Sequence, residues 1–300
     1  MSTITGKKKT SPFTIILYMV LTGMSLFTLA PFLLVLIGSL TPEVEIVRNG
    51  VSFFPKDMTF SAYTFIFEQN KDILRSYGVT IFVTIVGTAL SVALTSMLAY
   101  VISLKSVKYR NHIAFFVYFT MLFQGGMIPW YILNVSYLGL KDSLLALILP
   151  MCINPFFAFL MKSYLQNLPE SLRESGIIDG AGEFRIFLKI AMPISIPIIA
   201  TVTLFYMLMY WNDFYLSLFF IESEHLVSLQ YHLYRILSTL NYLASSSANG
   251  EGPSSSATII LPNESVRLAT TILTIGPIVF VYPFIQKHFV KGITIGAVKG

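Results

Sequence analysis

Thr203, Tyr206, Tyr210 and Asp213 recur three or four residues apart in an apolar run, so on a helix they share one face. Trp211, Asn212 and Tyr215 flank them. Aromatic faces, an amide and a carboxylate are groups that can line a path for a polar substrate: rings cover its apolar faces, and the polar groups hydrogen-bond its donors and acceptors. Gln124, beside Gly125 and Gly126 in another apolar run, offers a further amide for the same chemistry. A carboxylate such as Asp213 is costly next to hydrocarbon unless it faces water or a partner, which marks it for function. The same residues also suit an aromatic belt at a membrane interface with a packing stripe behind it. Spacing leaves both readings open.

Other chemistries are missing from the sequence. No G-x-x-x-x-G-K-[ST] loop is present to cradle nucleotide phosphates, so ATP hydrolysis by this chain is not expected. No H-E-x-x-H or G-x-S-x-G motif occurs, and His112, His225, His232 and His288 are dispersed. Cys152 is the one cysteine and sits in an apolar run, which excludes an internal disulfide and reads as packing. Neither a cofactor nor a metal is expected on this chain.

These residues need elements to position them, and composition says what kind. Of 300 residues, 55% are hydrophobic and 12% charged, with mean hydropathy +0.72. A soluble domain carries about a quarter charged residues. The net charge of +5 is spread between apolar runs and forms no basic stripe for nucleic acid. Six stretches are long and apolar enough to cross a bilayer, near 13–40, 76–104, 113–136, 143–161, 194–220 and 268–286. The expected fold is therefore an all-α polytopic membrane protein, a single transmembrane domain over 1–300. The first run follows Lys7, Lys8 and Lys9, but it is too long for a signal peptide and no small-residue cleavage site closes it.

An even number of spans leaves both termini on one side. That side carries three Lys and Arg before the first span, three in 105–112, four in 162–193 and three in the tail 287–300, which is 13 of the 20. The positive-inside rule places it in the cytoplasm. On the other side, 41–75 reads as partly helical, and 221–267 reads as a flexible outer loop around "ASSSANGEGPSSSA". In the second span Gly87, Ser91, Thr95 and Ala99 make a narrow face that admits a close neighbour, for packing or for a movable seam. In the third, Gly125, Gly126 and Pro129 predict a kink or a break.

One cytoplasmic segment, 167–193, is out of character with its greasy surroundings. Pro169 suits a first helical turn, and Glu170 and Glu174 lie near that helix's N-terminus, where its dipole favours negative charge. Asp179-Gly180 is a turn signal, and from Ala181 a second helix begins, with Phe184, Phe187, Leu188 and Ile190 at helical spacing. Pro193 follows near the start of the fifth span. The product is a helix–turn–helix with an apolar ridge, and periodicity alone fits both a hairpin resting on the membrane and one that docks into a soluble partner.

This segment resembles the "EAA" signature of ABC-importer permeases, which reads E-A-A, three residues, G, nine residues, I, one residue, L-P. Here Glu174-Ser175-Gly176 stands for E-A-A, followed at the same spacing by Gly180, Ile190 and Met192-Pro193. Ser175, Gly176 and Met192 depart from the pattern, and Gly176 is expected to loosen the first helix by about 1 kcal/mol relative to alanine. "WNDFYLSL" (211–218), "SLQYHLYRIL" (228–237) and the tail "YPFIQKHFVKGITIGAVKG" (282–300) resemble carbohydrate-importer permeases of the oligosaccharide and polysaccharide branch.

The resemblance implies a non-catalytic subunit of an oligosaccharide importer, an ABC importer of type I-like architecture in a bacterial cell membrane. It implies two ATPase subunits carrying ATP and magnesium, a second related permease to complete a heterodimer, and an extracellular sugar-binding protein. It further implies that Glu174 pairs with a basic residue of the ATPase, Asp179 and Gly180 form the turn, and Ala181 allows close approach. Phe184, Phe187, Ile190 and Pro193 belong to the same coupling element. The contrasting reading, an ion-coupled secondary transporter or half-transporter, would call for ionisable residues at mid-bilayer and internal repeats, and neither is evident.

Overall fold

A computed structural model describes residues 12–69, 72–248 and 264–279. The tail at 287–300, the end of the expected sixth span at 280–286 and residues 249–263 of the expected outer loop lie outside the described residues. The regular elements are all helical: α1 (Pro12–Ser39), α2 (Glu43–Asn49), α3 (Ser61–Gln69), α4 (Ile73–Ser103), α5 (Arg110–Leu122), α6 (Met127–Ile132), α7 (Pro155–Leu165), α8 (Glu170–Ile178), α9 (Glu183–Ile186), α10 (Met192–Ile194), α11 (Ile196–Trp211), α12 (Tyr215–Phe220), α13 (Leu229–Ala248) and α14 (264–279). Short 3-10 and π turns join several of them.

Among the described residues two helices, α1 and α4, are singly long and apolar enough to cross a membrane. Three bent helix pairs reach that length and apolarity only when each pair is counted as one span. The α5–α6 pair bends by 118°, the 144–165 pair by 50° and the 183–211 pair by 84°. The break after α5 falls at Phe123–Gly126, where Gly126 has φ +85° and Pro129 follows within the next helix. Neither residue can sustain an uninterrupted ladder of backbone hydrogen bonds.

The chain divides into two units. One draws on residues up to 70 and on 237–273. In it, Glu43 is buried and its carboxylate accepts the backbone N–H groups of Glu264 (3.0 Å) and Ser265 (2.8 Å) and the Ser265 hydroxyl (2.7 Å). The negative charge thereby meets the unsatisfied N–H groups at the start of α14. The side chains of α1 are almost all exposed.

The second unit, 71–236 with 274 onward, holds the candidate site. Here α4 packs against α11 and α7. Its polarity is inverted relative to a soluble helix: Thr80, Thr84, Gly87, Thr88, Ser91 and Thr95 are buried, while Ile81, Phe82 and Ile85 face outward. Hydrocarbon surroundings make this favourable, because small residues let helices approach and large apolar ones meet lipid. Within 221–267, the segment expected as a flexible outer loop, residues 229–248 are helical. They form α13, with Leu229, Leu233 and Leu240 buried at helical spacing. That apolar stripe lies outside the Ser/Gly-rich stretch on which the expectation rested.

Candidate coupling surface and transport seam

The polar hairpin is built from α8 and α9 and the turn between them. Gly180 has φ +73°, and the turn closes with Ala181 N–H to Gly176 C=O (2.9 Å) and Gly180 N–H to Ile177 C=O (2.9 Å). This pair of bonds is a Schellman C-cap, which satisfies the last carbonyls of α8 and requires a left-handed residue at Gly180. Gly176, expected to weaken α8, has a positive use here. A Cβ on it would come 2.9 Å from Ile190 Cδ1 and 3.1 Å from Ile186, so the glycine lets the two arms touch.

The hairpin has a braced side and an open side. On the braced side Phe187 is buried, its ring 5.2 Å from that of Tyr100 on α4. Glu183 accepts from the Tyr100 hydroxyl (3.1 Å) and pairs with Arg173 across the hairpin. The hydrogen bond from Arg173 holds the Glu183 carboxyl below the usual carboxylate range. On the open side Glu174, Asp179 and Pro193 are exposed, as are Ile178 (84%) and Phe184 (63%). Ala181 and Ile190 are half-buried between the arms. Of the residues named for coupling, Phe187 thus belongs to the brace, while Glu174, Asp179 and Phe184 are exposed, the Phe184 ring 6.3 Å from that of Phe187.

The second feature is the seam between α4 and α11. Tyr206 and Tyr210 are 0% and 2% exposed. The Tyr210 ring lies over Gly87, where a Cβ would meet ring carbons at 2.7–2.9 Å. Its hydroxyl pairs with Ser91 (2.9 Å) and donates to the Ile148 carbonyl (2.9 Å). One turn away the Tyr206 hydroxyl pairs with Thr95 (2.7 Å) and accepts from the Asn154 N–H (2.9 Å). The small face of α4 and two tyrosines of α11 therefore interlock, and every one of these tyrosine hydroxyls is occupied within the chain.

The remaining pathway candidates are not gathered with them. Trp211 is buried and its indole N–H donates to the Thr274 carbonyl (2.9 Å). Asp213 Oδ2 accepts from Leu216 N–H (3.1 Å), one of the unsatisfied N–H groups in the first turn of α12. Asn212 and Tyr215 are exposed, and Gln124 is exposed in the break between α5 and α6. Among the described residues no group of His, Cys, Asp and Glu is arranged to hold a metal.

Sequence reasoning passed over three residues of the brace, Tyr100, Arg173 and Glu183, because a pairing across a turn and onto a distant helix has no local signature. It also passed over Asp142. That residue has φ +54° and accepts from Glu222 N–H (3.1 Å), Ser223 N–H (2.8 Å) and the Ser223 hydroxyl. Lys141 pairs with Glu222 beside it (2.6 Å). A non-glycine residue in the left-handed region carries strain that surrounding bonds must hold.

No family model matches the chain. Among characterised proteins, it is 42% identical to Protein LplC of Bacillus subtilis (strain 168) over 93% of this chain and 92% of the relative. It is 38% identical to the polygalacturonan/rhamnogalacturonan transport system permease protein YtcP of the same organism, over 96% and 98%. Among solved structures, a bacterial ABC transporter involved in import of the acidic polysaccharide alginate has a chain that superposes with TM-score 0.77 at 28% identity, covering 92% of this chain and 96% of that one.

Proposed function

The chain belongs to the membrane-spanning permease subunits of carbohydrate ABC importers, and we propose that the α8–α9 hairpin is the surface through which its ATPase drives it. Carbohydrate import by an ABC transporter is its function, and family membership implies an ATPase and a substrate-binding protein as partners. In our reading it works with two ATPase copies and a second, related permease in a bacterial cell membrane, with both termini and the hairpin on the cytoplasmic side. ATP and magnesium are held by the ATPase.

The observation that carries the docking reading is the two-sidedness of the hairpin. One side is tied to α4 and the other leaves Ile178 and Phe184 exposed beside Glu174 and Asp179. An apolar ridge rimmed by charge, on the most polar segment between spans, suits a protein groove. Motion imposed there would reach the bundle through α9, which leads by way of α10 into α11. The α4–α11 interlock would then carry it across the membrane. Tyr206 and Tyr210 contribute by holding that seam, while Gln124, Asn212 and Tyr215 are the exposed candidates to meet sugar and Asp213 stays tied to α12.

For the substrate we favour an oligosaccharide containing uronic acids. The relative named for polygalacturonan and rhamnogalacturonan and the solved transporter for alginate both support an acidic carbohydrate. The test is uptake by the complete transporter in vesicles, with a panel of neutral and acidic oligosaccharides. We expect uptake to require ATP hydrolysis and to survive collapse of the proton gradient, with acidic sugars competing best. Uptake that stops with the gradient and ignores ATP would overturn the ATPase-driven reading, and competition by neutral sugars alone would overturn the substrate class.

A further inference from the structure

The hairpin is not packed flush against the bundle. A cavity of about 220 Å³ opens between it and the end of α4, bordered by Ser103, Leu104, Gln166, Pro169, Leu172 and Ile190. Among the described residues, two polar ties bridge α4 or the turn after it to α8 and α9. One is Lys105 with Glu170 at 3.6 Å, both largely exposed. Such a pair in water contributes little. The other is Tyr100 with Glu183, beside the Tyr100–Phe187 ring contact, and it is reinforced by Arg173 reaching across from α8. Arg173 is the better sheltered partner, with 21% of its side chain exposed.

We propose that Tyr100, Glu183 and Arg173 form the joint that transmits displacement of the hairpin to α4, with Glu183 as its central positioning residue. The inference rests on the reading of the hairpin as the ATPase-docking element. Its physical basis is that Glu183 ties three elements at once: α8 through Arg173, α9 by its own backbone, and α4 through the Tyr100 hydroxyl. Charge-assisted hydrogen bonds are shorter and stronger than neutral ones. Here they fix an angle that apolar contacts beside a cavity would leave loose. With the joint intact, turning the hairpin must turn the end of α4, and with it the rungs at Thr95 and Ser91 that hold Tyr206 and Tyr210.

The experiment uses the complete transporter in proteoliposomes and measures sugar moved per ATP hydrolysed. For Glu183→Ala we expect that ratio to fall about tenfold, the equivalent of one strong hydrogen bond, with the ATPase still co-purifying. Tyr100→Phe keeps the ring on Phe187 and loses only the hydroxyl, so a smaller fall of about threefold is expected. Reversing the pair, Arg173→Glu with Glu183→Arg, should recover more than half of the parent ratio, which a merely structural role would not require. An unchanged ratio in both Glu183→Ala and Tyr100→Phe, with the parent transporter active, overturns the joint and leaves docking intact. If Glu183→Ala fails to reach the membrane, Tyr100→Phe and the reversed pair decide the matter alone. Failure of the parent chain to co-purify with any ATPase would instead remove the docking reading itself.

Discussion

Replacing Gly180 by valine isolates what the hairpin turn does. Gly180 has φ +73°, and a Cβ built on it meets nothing within 4 Å, so a side chain there has room and the penalty is purely conformational. Holding an L-residue in the left-handed region costs about 1–2 kcal/mol, and a β-branched residue sits at the upper end. Since about 1.4 kcal/mol is a factor of ten in population, the closed turn should become about five to thirty times scarcer relative to open forms. The two bonds it makes, from Ala181 to Gly176 and from Gly180 to Ile177, open with it. The assay is uptake of labelled oligosaccharide in cells, divided by the amount of chain in the membrane. Uptake should rank glycine first, then asparagine, which tolerates a positive φ, then alanine and last valine. Membrane abundance should stay near parental, because the turn lies outside the spans. Valine transporting as well as glycine at equal abundance would refute the link between turn geometry and transport.

Two other perturbations probe the seam and the contact of Asp142 with Ser223. Gly87→Ala drives a methyl into the Tyr210 ring at 2.7–2.9 Å. The hydroxyl of that ring is anchored at Ser91 and Ile148, so overpacking of about 1–3 kcal/mol should appear as a lower melting temperature in detergent, partly recovered by adding Tyr210→Leu. Where Asp142 meets Ser223, the Ser223 hydroxyl and then its N–H hold the Asp142 carboxyl below its ordinary value of 3.8. A depressed acid stabilises above its unfolded pKa and loses that contribution as pH falls through the folded one. Hydrogen exchange across 220–224, corrected for intrinsic rates, should therefore rise on acidification from about pH 5 to pH 3. Asp142→Asn should abolish that step, and a step that persists in the variant would show that another group causes it.

Composition and apolar run length were enough to fix the class of molecule and its surroundings, because a span needs only about twenty apolar residues and no knowledge of its neighbours. The turn at Asp179-Gly180 and the break near Gly126 were equally legible, since a positive φ and a missing donor are properties of single residues. The small face of α4 announced a close neighbour, but its partner was beyond reach. That Gly87, Ser91 and Thr95 receive Tyr210 and Tyr206 depends on two helices more than a hundred residues apart coming into register. For the same reason the candidates of the stretch 203–215, neighbours in sequence, divide in space. Tyr206 and Tyr210 are sealed into the seam, whereas Asn212 and Tyr215 remain exposed. Local pattern sets which face a residue occupies along its helix, and only packing decides whether that face meets protein, lipid or water. The contact of Tyr100 with Glu183 exists solely because the fold carries the hairpin back beneath α4.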